Sequence, residues 1–205
     1  MLEVPKFEYP PGATPLDPDD AGGLIPSHIT TQGQLNEWEF QNVAEGRAWA
    51  FSGKRKQLLT ARFAQELHRR MFGRTWKWAG TLRKKETLPG IDPRNISAEL
   101  RKLFDDVAHQ LLHRSMPLDE IAARFHHRLT LIHSFPNGNG RHARLMTDIL
   151  QRVNGAEPFD WGNSDLVAPD DTRKRYIAAL RAADGRDPSL FFEFVRSGTD
   201  EAMSR

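Results

Sequence analysis

The sequence predicts an all-α domain with one small β element and an extended N-terminal arm. Apolar residues recur at helical spacing in several segments, and Ser or Thr residues suited to capping a helix precede most of them. Six of the 13 prolines fall within residues 1–29, where no such spacing occurs. With 205 residues the chain is long enough for one domain with a substantial core.

Two segments precede the main domain. Residues 1–30, with their prolines and glycines, predict the extended arm. Thr31 followed by Gln34 is a capping-box pattern and predicts a helix within residues 31–53, which Gly46 interrupts. We assign residues 54–205 to the main domain.

The main domain begins with a helix that Thr60 caps and that ends near Gly73. Residues 81–96 contain Pro89-Gly90, the pair favoured at the centre of a type II turn, and predict a small β-hairpin or an irregular flap. The remaining helices follow from apolar spacing: one opened by Ser97, one opened by Ser115 and Pro117 that delivers His133, one from Ala143 to Asn154-Gly155, and two within 172–183 and 188–195.

Charge is unevenly distributed although the net charge is only +2. Residues 1–53 carry a net charge of −6, and residues 54–85 carry +10. This basic band could contact nucleic acid or an acidic protein face, or it could be an ordinary solvated surface. There are no cysteines, which excludes disulfides and thiol chemistry. No apolar run is long enough to span a membrane and no secretory signal opens the chain, so we expect a cytoplasmic protein without membrane contact.

The segment HSFPNGNGRHAR, residues 133–144, holds the candidate site. His133 could accept a proton near neutral pH, and Phe135 is expected to turn inward as an anchor. A glycine loop that leads into a helix directs backbone N–H groups outward and favours an anion. Arg141 and Arg144 project to one side of that helix. A base, an anion seat and two guanidinium groups suit transfer of a phosphorus-containing group, although a purely structural loop would show the same pattern.

The segment at 133–144 resembles the Fic motif, H-x-F-x-(D/E)-G-N-G-R-x-x-R, at every defined position except one. LHRRMFGRTWKWAGTLR (67–83) is similar to the Fic segment before the target-docking flap, and YIAALRAADGRDPSLFFEFV (176–195) to the closing helices. The resemblance covers roughly residues 55–196. The segment TPLDPDDAGGLIPSHITTQGQLNEWE (14–39) resembles a narrower Fic subfamily, mobile mystery protein B.

The resemblance implies a Fic-like helical domain and a protein adenylyltransferase that uses ATP. His133 would deprotonate a Tyr, Ser or Thr hydroxyl of a target protein, which then attacks the α-phosphate of ATP. Residues 81–96 would be the flap along which the target docks by strand addition.

The resemblance also assigns the phosphate-binding residues. Gly138, Asn139 and Gly140 would hold phosphate oxygens through the helix N-terminus. Arg141 and Arg144 would bind the β- and γ-phosphates.

Asn137 is the departure from the motif, since the family carries Asp or Glu there to hold Mg²⁺. An amide oxygen can ligate Mg²⁺ but brings no negative charge. Either the metal is bound more weakly or used differently, or the reaction has changed. The alternatives are therefore a silent Fic-like module that binds nucleotide, nucleic acid or a phosphorylated partner, or an enzyme that transfers another phospho-group.

Many Fic proteins carry an inhibitory helix with the pattern S/T-x-x-x-E-G/N. Residues 41–46 match its Glu-Gly end but begin with Gln. The hypothesis is that Glu45 pairs with Arg144 in an inactive state; a solvent-exposed acid is the alternative.

Other residues have simpler interpretations. His126, His127 and His142 match no compact zinc pattern and are expected on helix surfaces. Trp76 and Trp78 could stack on bases, but core packing is the preferred interpretation.

Overall fold

The computed structural model describes residues 16–53, 57–163, 166, 171–185 and 187–203. The described residues are mostly helical, as predicted. The helices are α1 (Pro18–Ala21), α2 (Gln32–Phe51), α3 (Ala61–Phe72), α4 (Ile96–His113), α5 (Leu118–Ile132), α6 (Asn139–Val153), α7 (Asp171–Asp184) and α8 (Ser189–Met203), with short 3₁₀ turns at Pro93–Asn95 and Trp161–Asn163. No helix in these ranges has the length and apolar character needed to span a membrane.

The C-terminal part of the predicted arm packs on the domain, whereas residues 1–15 lie outside the described residues. Leu16 and Ile29 are buried. Leu24 forms an isolated antiparallel bridge with Trp76, and the N–H of Ile25 donates to the carbonyl of Thr75 at 2.8 Å. The segment 16–29 is therefore an ordered strap and includes the short α1.

Helix α2 shows both halves of the capping box predicted at Thr31 and Gln34. Gly46 does not interrupt this helix, contrary to the sequence-based expectation. A Cβ at Gly46 would lie 2.8 Å from the Met71 side chain, so glycine here permits α2 to approach α3 closely. The glycine serves packing between helices.

The core lies between α3, α4, α5 and α6, and its largest fully buried side chains come mainly from these helices. They include Phe72, Leu100, Phe125, Ile132 and Met146. Helices α5 and α6 are joined only by residues 133–138, so the packing of both helices fixes the ends of this short loop. The site residues are thereby held by the core.

Residues 81–96, all of which the structure describes, form no strand, so the predicted β-hairpin is not formed. The Leu88–Pro89 peptide is cis and Gly90 has φ 148°, which is not the geometry of the predicted type II turn. Instead of strand pairing, the guanidinium of Arg83 bridges the two sides of the segment by donating to the carbonyls of Lys85 and Ile91. The segment is an irregular loop built around one arginine.

Helix α4 begins at Ile96, one residue before the predicted cap Ser97, because the 3₁₀ turn Pro93–Asn95 leads directly into it. Helix α5 begins after Pro117 and ends at Ile132, which places His133 at its C-terminal end as expected. At the end of α6, Asn154 is the C-cap and Gly155 has a φ of 81°.

Candidate active site

The loop between α5 and α6 carries a left-handed residue at each end. His133 is the C-cap of α5 with φ 52° and ψ 61°. Gly138 is the N-cap of α6 with φ 77°, and a Cβ there would lie 2.6 Å from the ring of Phe72. A non-glycine residue in this conformation is uncommon and is held by its surroundings. Tertiary contacts therefore hold the left-handed backbone conformation of His133.

The His133 imidazole is buried and has a defined tautomer. Nδ1 lies 3.3 Å from the carbonyl oxygen of Thr130. Because a carbonyl only accepts, Nδ1 carries the hydrogen and Nε2 carries the lone pair. Burial lowers the pKa of His133 to about 4; the Thr130 bond opposes this shift, and the Arg83 charge adds to it. At neutral pH the ring is a neutral proton acceptor.

The loop interior is fixed by Phe135 and Asn139. Phe135 is in the core, stacked on His68 with ring centroids 3.8 Å apart. The Asn139 side chain is also buried: Oδ1 accepts from the N–H of Phe135 at 2.9 Å, and Nδ2 donates to its carbonyl at 2.7 Å. Any contact of Asn139 with phosphate would therefore come from its backbone, because its amide group closes the loop.

His68 of α3 is a second residue that positions the loop, and sequence reasoning did not identify it. Its Nδ1 accepts from the N–H of Gly80 at 3.0 Å, so its Nε2 carries the hydrogen and donates to the Asn137 carbonyl at 3.0 Å. Burial lowers the pKa of His68 well below its usual value, which keeps this tautomer neutral. Its only sequence signal is its place within the Fic-like segment 67–83.

The N-terminus of α6 has the features of an anion seat. No described side chain caps it, so its first N–H groups can bind an external acceptor. Gly140 lies in its first turn, and a Cβ there would be 3.9 Å from Arg144 Nη1 and 4.0 Å from the Tyr176 hydroxyl. Alanine would fit; a larger residue would enter the space in front of the arginine.

Arg141 is paired with a carboxylate from α2. Its Nη2 lies 2.8 Å from Glu39 Oε2, and its guanidinium carbon is 4.8 Å from the centroid of the Phe72 ring. Glu39 is only 5% exposed, and its other oxygen accepts from Trp76 Nε1 at 2.7 Å. Sequence reasoning did not single out Glu39, although a charged residue on the Leu35/Gly46 face of α2 was a detectable signal.

Arg144 is bound to a phenol from α7. It donates to the Tyr176 hydroxyl, which lies 2.9 Å from His126 Nε2. Since arginine only donates, the Tyr176 oxygen accepts from Arg144, and its hydroxyl hydrogen can be donated in a hydrogen bond to His126 Nε2. Burial lowers the pKa of Arg144 and lowers that of His126 well below its usual value. Tyr176 is a neutral partner of the Arg144 guanidinium, and the Asp148 carboxylate also acts on it electrostatically.

The side-chain oxygen of Asn137, the predicted magnesium ligand, is hydrogen-bonded within the loop. Its Oδ1 accepts from the N–H of Gly138 at 2.6 Å, so this oxygen already has a donor. Within the described ranges, no group of three or more His, Cys, Asp or Glu residues could hold a metal ion. An amide oxygen already bonded to a backbone N–H is a poor substitute for the carboxylates that Mg²⁺ prefers.

Glu45 does not adopt the pairing predicted for it. Its Oε1 lies 2.5 Å from Arg74 Nη1, and its side chain is 57% exposed, whereas the Arg144 side chain bonds to Tyr176. Residue 45 is next to Gly46 in sequence but about 100° around the helix from it, so it leaves the buried face of α2. The carboxylate that α2 presents to the motif is Glu39.

Three histidines were expected on helix surfaces, and two of them are buried. His126 and His142 are in the core, and Nε2 of His142 lies 2.9 Å from the carbonyl of Ala64. His127 is at the surface beside Asp184. Trp76 is buried and stacks on the partly buried Trp78 at 5.1 Å, in agreement with core packing.

Two comparisons of sequence place the chain among known proteins. Residues 58–151 match the model of the Fic/DOC family. The chain is 28% identical over 145 residues to protein adenylyltransferase fic-1 of Caenorhabditis elegans, covering 68% of this chain and 27% of that protein. It thus spans about a quarter of the length of the curated relatives that it matches.

Two solved structures have the same fold. The structure of Fic-1 (residues 134–508) from Caenorhabditis elegans has a TM-score of 0.65 and 25% identity, covering 91% of this chain and 54% of that one. BepC from Bartonella tribocorum, with bound AMPPNP, has a TM-score of 0.67 and 19% identity, covering 87% and 96%. The range that matches the Fic/DOC model, residues 58–151, includes the buried histidine, the glycine loop and both arginines, so this part of the chain is similar to Fic/DOC domains in sequence and in fold.

Proposed function

We propose that this chain is a protein adenylyltransferase that transfers AMP from ATP to a Tyr, Ser or Thr hydroxyl of a target protein. The observation that carries the proposal is the neutral, buried His133, with the lone pair on Nε2, one short loop away from an uncapped helix N-terminus and two arginines. The similarity to protein adenylyltransferases of Caenorhabditis elegans and Drosophila willistoni supports the same reaction.

The reaction begins when His133 Nε2 takes the proton of the target hydroxyl. The hydroxyl oxygen attacks the α-phosphorus of ATP, and the bond between that phosphorus and the bridging oxygen to the β-phosphorus breaks. Pyrophosphate leaves with the electron pair, and AMP stays on the target. A neutral imidazole is available for this step across physiological pH because the pKa of His133 is near 4.

The phosphates are assigned to the start of α6. Backbone N–H groups of Gly138, Asn139 and Gly140 would bind phosphate oxygens, and Arg141 and Arg144 would bind the β- and γ-phosphates. BepC, which has this fold, was crystallised with bound AMPPNP, which is compatible with nucleotide binding by this fold. Fixed N–H groups and guanidinium ions stabilise the charge that develops during phosphoryl transfer.

The residue at the motif's metal position is a poor fit for Mg²⁺. The Asn137 oxygen is bonded to the Gly138 N–H. Mg²⁺ is often held largely by substrate phosphates, with few protein ligands. We therefore assign no protein ligand to Mg²⁺ in this chain.

The target is proposed to dock along residues 81–96. The tip residue Leu88 is 91% exposed, which suits a contact with a partner protein. We further propose that the chain belongs to the mobile mystery protein B subfamily, that it acts in the cytoplasm, and that residues 54–205 form the catalytic unit with residues 31–53 as its regulatory helix.

Label transfer from α-³²P-ATP to proteins of a cell lysate tests the reaction. The wild-type chain is expected to label a protein band, and His133→Ala is expected to reduce labelling at least about 100-fold, because the general base is lost. His127→Ala is the matched control, since His127 lies at the surface of α5, the helix that His133 ends. Equal labelling by wild type and His133→Ala would refute the assignment.

The second candidate is a module that binds nucleotide without transferring it, which the bonded amide of Asn137 favours. It predicts ATP binding by calorimetry without label transfer, and a gain of transfer in Asn137→Asp. Nucleic-acid binding by the basic band has less support. Lys54, Arg55 and Lys56 lie outside the described residues, and Arg69, Arg70, Arg74 and Lys85 are paired with carboxylates. Binding to nucleic acid that weakens with salt and with neutralisation of Lys54, Arg55 and Lys56 would revive it.

A further inference from the structure

Arg83 is a buried arginine of the flap, residues 81–96, and its guanidinium is bound to backbone carbonyls. Its side chain is enclosed, with 4% of the residue exposed. Within the flap it donates from Nη1 to the Lys85 carbonyl at 2.8 Å and from Nη2 to the Ile91 carbonyl at 2.5 Å. One guanidinium therefore joins the two limbs of the flap.

The same residue holds the backbone of the proposed general base. Arg83 Nε donates to the His133 carbonyl at 2.5 Å, and the backbone N–H of Arg83 donates to the Ser134 carbonyl at 3.0 Å. A further contact runs from Nη2 to the Ile132 carbonyl at 3.3 Å. Three consecutive carbonyls at the end of α5 are thus bound by one residue of the flap.

This arrangement requires the shape of an arginine. The planar fork presents donors in several fixed directions, whereas a lysine ammonium is a single point that cannot reach carbonyls on opposite sides. Gly90 is adapted to the fork as well, because a Cβ there would lie 2.7 Å from Arg83 Nη2. The acidic side chains that influence the Arg83 charge, Asp92 and Glu86, both belong to the flap.

We propose that Arg83 is a positioning residue that couples the flap to the left-handed backbone of His133. A target that docks on the flap and shifts either limb would then reorient the His133 peptide, so that target docking and placement of the base are one event. This inference rests on the proposed function for its catalytic consequence, but the mechanical coupling itself does not require catalysis.

Amide hydrogen exchange tests the coupling without any assay of activity. In Arg83→Lys, the amides of Arg94 and Asn95, which bond to Asp92 in the flap, and those of His133 and Phe135 are expected to exchange at least about tenfold faster, both pairs by a similar factor. The reason is that the guanidinium hydrogen bonds joining the flap to the end of α5 are lost together. Amides of α7 are expected to be unchanged. Arg124→Lys is the matched control, since Arg124 is on α5 but bonds only to Glu120 among the contacts described for it.

Faster exchange in the flap with no change at His133–Phe135 would overturn the coupling, and so would no change in either segment. If Arg83→Lys unfolds, Gly90→Ala provides a second variant, because its Cβ displaces the Arg83 fork while the arginine remains. It is expected to raise exchange in the same two segments.

Kinetics then tests the catalytic consequence. Arg83→Lys is expected to raise KM for the protein target and lower kcat, each at least about tenfold, with the Kd for ATP within about twofold of wild type. An equal loss of ATP affinity would point to a merely structural role and overturn this part. If the wild-type chain transfers no label, the proposed function fails while the exchange result still decides the coupling.

Discussion

Arg141 and Arg144 occupy the same turn of one helix and the same motif, yet their surroundings differ. Arg141 is bound to the Glu39 carboxylate of α2, while Arg144 donates to the Tyr176 hydroxyl of α7. One guanidinium therefore contacts a carboxylate directly, whereas the other bonds to a neutral oxygen and is also influenced by the Asp148 carboxylate. Motif spacing sets the face of the helix on which the arginines lie, whereas helices outside the motif set how much positive charge each offers a nucleotide.

The largest expected effect comes from removing each arginine in turn. Arg144→Met is expected to weaken ATP binding about 100-fold, and Arg141→Met only about tenfold, because the Glu39 carboxylate already offsets part of the Arg141 charge. Isothermal titration calorimetry with ATP measures both. Equal losses would show that Glu39 does not distinguish the two sites. Arg152→Met, at the exposed end of α6, controls for loss of charge.

Removing the Glu39 carboxylate should make the contribution of Arg141 to ATP binding more like that of Arg144. Glu39→Gln is expected to tighten ATP binding about tenfold, because its amide oxygen can still accept from Trp76 while the negative charge beside Arg141 is gone. Glu45→Gln is the control and is expected to leave the Kd unchanged, since Glu45 bonds to the exposed Arg74. A tightening in Glu45→Gln alone would restore the original hypothesis of Glu45 as the inhibitory residue.

His126, which bonds to the Tyr176 partner of Arg144, should make the folding stability depend on pH. Its pKa is lowered well below 6.5 in the folded state, mainly by burial, so unfolding takes up a proton at pH values below 6.5. The stabilising contribution of neutral His126 is complete above pH 6.5 and is lost as the pH falls.

His126→Asn is therefore expected to reduce the slope of unfolding free energy against pH below pH 6.5, by at most about 1.4 kcal/mol per pH unit. Urea denaturation at a series of pH values measures it. His127→Asn, one residue along the same helix, is the comparison variant. An unchanged slope in His126→Asn would mean that His126 is already protonated in the fold.

The smallest effect is expected from the phenol. Tyr176→Phe keeps the ring beside Arg144 but removes the oxygen that orients it, and ATP binding should weaken about threefold, the value of one modest hydrogen bond. Thr147→Val removes another buried hydroxyl on α6 that bonds to the Ala143 carbonyl, so it serves as the control. A loss above tenfold would give Tyr176 a direct contact with nucleotide.

Local signals in the sequence were sufficient for most of the helices and for the loop. Thr31 and Thr60 cap α2 and α3 as predicted, because capping depends on residues three positions apart. His133 ends α5 as predicted, whereas α6 begins at Asn139 rather than at the predicted Ala143, because the left-handed Gly138 serves as its N-cap. These features depend on residues close in the chain, which periodicity and turn chemistry describe well.

Contacts between distant residues were not predictable in this way. Glu39 meets Arg141 across 102 positions in the numbering of the chain, and Arg83 meets His133 across 50. The hairpin prediction failed for the same reason, since nothing within residues 81–96 indicates that a buried arginine will bind both limbs. Pairing of this kind is decided by tertiary packing, which overrides local preference.

The partners of both arginines have a consequence for exchanging parts between relatives. Glu39 and Tyr176 lie outside residues 58–151, the range that matches the Fic/DOC model. A graft limited to that range would import two cations without the groups that restrain them. The residues that hold the two arginines thus extend beyond the range that matches the family model. A working chimera would have to include α2 and α7 as well as the motif.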